Sequence, residues 1–217
     1  LRLIHIAHLG GIRPLTTKVL RGKEMADFPT IDDAFLTITD GKISDFGPMS
    51  ECPSDELDTY DCTDRCVLPA FVDSHSHLVY AGTREQEFNL RLKGASYEEI
   101  AAAGGGILNS AKKVGATPLE DIVSQSTERL DRLVRYGTGT LEVKSGFGLD
   151  AEGELKLLRA VAALNAKTDA TLVPTFLAAH ALPVWAKERG WNDEQYTRWM
   201  LEELMPTVAK EGLAVFL

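Results

Sequence analysis

From residue 67 onward, short apolar runs alternate with amphipathic stretches of helical period, and this alternation restricts the fold more than any other feature. Residues 67–72, 139–143 and 171–178 read as buried strands. Leu119, Ile122, Val123, Leu130, Leu133 and Val134 make one apolar helix face, and Leu155, Leu158, Val161 and Ala162 make another. Strands alternating with helices over this length imply parallel βαβ units. Two folds fit: an open doubly wound sheet and a (β/α)8 barrel. The open sheet would carry a glycine-rich phosphate turn after its first strand. Here Asp73-Ser74-His75-Ser76-His77 stands in that place. Ionisable groups recur at successive strand ends, His75 and His77, then Lys144, then His180. Barrel enzymes build their sites from such ends. The expected class is α/β, a TIM-like (β/α)8 barrel of which three strands and the start of a fourth are present.

Helix boundaries follow from local chemistry. Ser96 and Glu99 make a capping box, and Thr117-Pro118-Leu119-Glu120 reads as a helix start with Thr117 as cap. Asp150 and Asn192 read as caps, Gly137 as a stop, and Pro206 as an interruption or restart. Gly104-Gly105-Gly106 permits positive φ but lacks the Gly-Lys-Ser/Thr of a phosphate loop. It reads either as a flexible turn or as a loop closing over a ligand.

Residues 1–66 have a different texture, of short strands. Asp40-Gly41 between residues 34–39 and 42–46 signals a tight hairpin, because both turn positions need positive φ. Residues 57–66 read as one further strand. The expected organisation is 1–66 as the N-terminal part of a small β-sandwich domain and 67–217 as the first half of the barrel. His5 and His8, three apart in a strand, face opposite sides and read as structural. Cys52, Cys62 and Cys66 form no Cys-x-x-Cys and read as reduced thiols, which points to the cytoplasm. A formal net charge of −9 argues against a nucleic-acid surface, and no apolar run reaches the roughly 18 residues of a membrane span. The chain lacks an initiator Met and stops where a strand is due to begin, so both ends read as cut. On its own the chain is expected to bind metal weakly and turn over nothing.

His75 and His77 share a strand face with Asp73. Neutral imidazole ligates zinc and iron alike, and a catalytic ion needs about three protein ligands. The pair reads as half of a metal site, with Asp73 accepting an imidazole N–H. Arg84, on the following loop, is either solvated or suited to gripping a carboxylate. His180 is open as ligand, acid/base or hydrogen-bond donor. An ion pair between Lys144 and Glu142 is not expected.

The segment Pro69-Ala70-Phe71-Val72-Asp73-Ser74-His75-Ser76-His77 resembles the first-strand signature of the amidohydrolase superfamily, with Ala70 in place of a frequent Gly. Residues 77–85, 102–107, 142–149 and 174–180 extend the resemblance to the imidazolonepropionase family of histidine degradation. It implies hydrolysis of 4-imidazolone-5-propanoate to N-formimidoyl-L-glutamate with one zinc or iron ion, by a homodimer when full length. Position by position, it implies His75 and His77 as metal ligands, Arg84 as holder of the propanoate carboxylate, and His180 as a substrate contact. Phe147 stands where the family has a substrate-contacting tyrosine. No catalytic base is identified in this chain; a carboxylate is expected beyond Leu217. A deaminase or hydantoinase is the alternative, since His-x-His is common to the superfamily.

Overall fold

The structure, a computed structural model, describes residues 1–13 and 19–217. It divides into two compact units, Leu1–Pro69 and Ala70–Leu217.

The first unit is a five-stranded sheet. Strand β1 (Arg2–Gly10) lies between β2 (Thr30–Thr39), which is antiparallel to it, and two short parallel strands, β4 (Thr59–Asp61) and β5 (Cys66–Val67). Strand β3 (Lys42–Pro48) completes the hairpin with β2. Asp40 and Gly41 both take positive φ (52° and 72°), as this two-residue turn requires. Ile6, Leu9, Ala34, Leu36 and Cys62 form the core. The single strand expected over 57–66 is two. Between them Asp61 accepts hydrogen bonds from the Thr63 N–H and hydroxyl, and Asp64 turns the chain at φ 61°. Such a side-chain-capped turn competes with strand pairing. The described residues of this unit lie in one sheet, without the second layer of a sandwich. His8 is hydrogen-bonded to Asp32 at 2.7 Å, and His5 sits at a bulge with φ 52°.

The second unit is mixed α/β. Its sheet is parallel, in the order β6 (Phe71–Ser76), β7 (Thr138–Lys144), β8 (Thr171–Thr175). Helices α1 (Glu85–Leu92), α2 (Tyr97–Ala102), α3 (Ile107–Ala116) and α4 (Leu119–Arg135) lie between β6 and β7 in sequence. α5 (Ala151–Asn165) links β7 to β8. α6 (Val184–Glu188), α7 (Asp193–Trp199) and α8 (Met205–Glu211) follow. A π-helical turn, Met200–Leu204, precedes the restart at α8, whose first turn contains Pro206. Leu141 and Val143 of β7 are fully buried against α4 and α5. After Gly212 the chain re-enters the sheet: Phe216 pairs in parallel with Thr175 and accepts the Phe176 N–H at 2.9 Å.

Several expectations need correction. The first strand of this unit is not buried: Phe71 and Val72 are 64% and 70% exposed, because β6 is an edge strand. Thr117 does not cap α4. Its hydroxyl donates to the Lys113 carbonyl and closes α3, and Pro118 occupies the cap. Both α3 and α1 escape the sequence reading. Val134 and Ala162 are exposed at the margins of their apolar faces. β8 stops at Thr175, and residues Ala178–His180 form a single 3-10 turn. The caps at Ser96, Asp150 and Asn192 form as expected, each accepting a backbone N–H three residues on.

Candidate active site

The C-terminal ends of the three strands carry the ionisable groups. His75 lies in β6, and His77 lies just beyond it. Their rings are 5.8 Å apart, edge to face. His180, beyond β8, places its ring 5.4 Å from that of His77. Phe147, beyond β7, stacks on His77 at 4.4 Å and 13°. His77 Nδ1 is buried and has no hydrogen-bond partner among the described residues. Burial, followed by the neighbouring His180 and His75, pushes the His77 pKa below its ordinary value. The imidazole is therefore held neutral, the form that ligates a metal. An orphaned buried nitrogen beside a second imidazole fits a metal ion. Among the described residues, no group of three His, Cys, Asp or Glu side chains converges to complete such a site.

Among the described residues Asp73 accepts from no imidazole: its carboxylate accepts the backbone N–H of His75 at 3.2 Å. Lys144 does pair with Glu142, against expectation. The β7–β8 register runs unbroken through Lys144, so the two side chains stay on one face. Thr175 donates to the same Glu142 oxygen at 2.6 Å.

The loop that carries Phe147 is fixed by a residue the sequence reading passed over. Glu154, in the first turn of α5, is fully buried. Its carboxylate accepts the N–H groups of Gly146, Gly148 and Leu149 at 2.9, 2.6 and 3.1 Å. Burial raises its pKa, against these hydrogen bonds. Gly148 lies so close to α5 that an added Cβ would enter the backbone of Gly153 and Glu154. Ser145 ties the strand ends together, donating its N–H to Thr175 and accepting the Leu177 N–H.

Arg84 precedes α1. Its Nε donates to Glu87 Oε2 at 2.8 Å, and Nη2 donates to the same oxygen. Glu87 is buried and also accepts the Gly106 N–H (3.1 Å) and Asn109 Nδ2 (3.2 Å). The Arg84 guanidinium, with these other donors, holds the Glu87 carboxyl down at about 2. The last glycine of the triple-glycine run is thus pinned by a carboxylate. Arg84, His77 and Phe147 line one cavity of about 210 Å³, together with Tyr80, Thr83 and Ser110. Tyr80 was not anticipated. Arg129 of α4 stacks over its ring at 3.6 Å and donates to the Leu78 and Tyr80 carbonyls. The available signal was an arginine seven residues after Ile122, on the core face of a helix.

No family model matches the sequence. The chain is 46% identical to an imidazolonepropionase of Flavobacterium psychrophilum over 99% of its own length and 52% of that protein. It is 44% identical to one of Christiangramia forsetii, over 100% of this chain and 52% of that one. The chain thus spans about half the length of the curated relatives it matches. Among solved structures it is similar to a 5-methylcytosine deaminase from Klebsiella pneumoniae, with TM-score 0.55, 17% identity and coverage of 98% of this chain and 49% of that one. E. coli guanine deaminase gives 0.54, 18%, 81% and 36%. An atrazine chlorohydrolase from Arthrobacter aurescens complexed with zinc gives 0.50, 15%, 80% and 35%. The chain is a homologue of the N-terminal half of the imidazolonepropionases and shares its α/β fold with the two deaminases and the chlorohydrolase.

Proposed function

We propose that the intact protein hydrolyses 4-imidazolone-5-propanoate to N-formimidoyl-L-glutamate in histidine degradation, as a cytoplasmic homodimer. In this reading residues 67–217 supply the first half of a (β/α)8 barrel, and residues 1–66 supply part of a small β-sandwich domain. The single observation that carries it is the meeting of His77, Phe147 and Arg84 on one cavity wall. A neutral imidazole, a flat apolar face and a guanidinium suit a small cyclic amide with a carboxylate tail.

His75 and His77 would hold one ion, zinc or iron. When bound, such an ion supplies Lewis-acid polarisation of the ring carbonyl. Arg84 takes the propanoate carboxylate by charge-assisted hydrogen bonds and so orients the ring. Phe147 walls the cavity beside His77 and keeps water from that side. Having no hydroxyl, it offers the substrate no hydrogen bond. His180 contacts the substrate from the 3-10 turn that follows β8. In the overall reaction, water adds at the ring carbonyl carbon, the carbon–nitrogen bond breaks, and the nitrogen takes a proton.

Replacing Arg84 with Met in the intact protein is expected to raise KM for the propanoate substrate by roughly 10- to 100-fold, the worth of a hydrogen bond to a charged group. An unchanged KM would remove Arg84 from substrate recognition.

A further inference from the structure

Glu87 is a buried carboxylate that the proposed chemistry does not use, and it sits against the residue assigned to substrate recognition. We propose that Glu87 is a positioning residue that presents one chosen edge of the Arg84 guanidinium to a ligand carboxylate. The inference rests on the reading of Arg84 given above.

A guanidinium has five N–H groups in a plane. Glu87 Oε2 takes the one on Nε and one on Nη2. Nη1 has no partner among the described residues, and Arg84 remains partly open to the cavity it shares with His77 and Phe147. The N–H groups left over are the two on Nη1 and one on Nη2. One from each nitrogen forms the end of the fork, which matches a carboxylate in two-point fashion, while the second Nη1 N–H points back along the Cδ side. The side edge, Nε with Nη2, is closed by Glu87. A ligand carboxylate can therefore meet Arg84 end-on only.

Glu87 can impose this because it is itself immobile. Gly106 N–H fills the same oxygen, and Asn109 Nδ2 holds the other. The carboxylate is thus anchored to the glycine loop and to α3, and Arg84 is anchored to the carboxylate. A long flexible side chain is ordered before the ligand arrives, so less freedom is lost on binding.

A purely structural Glu87, tying the glycine loop to α3, would make different predictions. Variants of the intact protein separate the two roles, each assayed with the propanoate substrate and with an analogue whose tail ends in a neutral amide. Glu87→Gln keeps an acceptor for Gly106 but loses the charge that aligns Arg84. It is expected to raise KM for the acid about tenfold, with kcat within about twofold and the amide analogue unaffected. Asn109→Ala cuts the tie of Glu87 to α3 without touching Arg84; it is expected to raise KM for the acid by less than Glu87→Gln does and to leave the amide analogue unaffected, and an equal rise for both substrates would overturn the positioning role. Should Glu87→Gln fail to fold, Glu87→Asp replaces it: it keeps the charge but withdraws it by one methylene, and the same selective rise is expected. A KM unchanged by the Glu87 variant while Arg84→Met raises it would overturn the positioning role and leave the Arg84 reading standing. Equal effects on acid and amide substrates would also overturn it, in favour of a scaffold role. An Arg84→Met variant with normal KM would remove the reading and the inference together.

Discussion

Two buried carboxylates hold this site, and they do so under opposite electrostatic conditions. Glu87 and Glu154 each lie in the first turn of a helix that follows a strand-end loop; Glu87 accepts one backbone N–H, from Gly106, and Glu154 accepts three, from Gly146, Gly148 and Leu149. Glu87 has a guanidinium against it and is held ionised, down to about 2. Glu154 is held by the N–H groups of Gly146, Gly148 and Leu149 and by the Ser145 hydroxyl, and burial raises its pKa. The same side chain serves as a charged anchor for a movable cation in one case and, in the other, as a clamp for a rigid loop whose charged form burial disfavours. The Arg84 side of the cavity is thus electrostatically tuned, whereas the Phe147 side is mechanically fixed.

The largest effect that would test this contrast is at Glu154. Truncation to Ala leaves three buried N–H groups without acceptors, and we expect a loss of about 3 kcal/mol or more in denaturant unfolding of the intact protein. Full retention of stability would show that the clamp is dispensable.

The pH response should separate the two carboxylates by sign. Glu87 has a folded pKa below its ordinary 4.5, so its stabilisation is complete above that value and is lost as the pH falls towards about 2. Glu154 has a folded pKa above 4.5, so its contribution is greatest at low pH and declines as the pH rises through 4.5 towards the folded value. Unfolding followed against pH should show Glu87→Gln removing acid lability and Glu154→Gln removing the opposite slope. Slopes of the same sign would collapse the distinction.

The smallest effect lies on the rigid side. Phe147→Leu keeps the site apolar but loses the stacked ring, worth about 1 kcal/mol. A KM increase of about fivefold is expected from substrate titration. No change would mean that the ring against His77 plays no part in binding.

Much of this arrangement was legible in the sequence where its cause is local. The hairpin at Asp40-Gly41 and the caps at Ser96, Asp150 and Asn192 depend on neighbours within a few residues. Counting strand ends put His75, His77 and His180 at one end of the sheet, whereas Phe147 entered only through the family resemblance. What was not legible depends on distant partners. Glu87 acquires its meaning from Gly106, nineteen residues on. Glu154 reads in isolation as an ordinary solvated helix glutamate. The exposure of Phe71 and Val72 is set by the place of β6 at the sheet edge, which no local pattern records. The Lys144–Glu142 pair depended on the strand staying regular to its last residue, which its pairing with β8 secures.

The most direct measurement is turnover by the intact protein, offered 4-imidazolone-5-propanoate, guanine and cytosine side by side, with products identified by mass spectrometry. The account predicts N-formimidoyl-L-glutamate from the first and no deamination of the other two. Deamination of either base with the imidazolone left intact would contradict it.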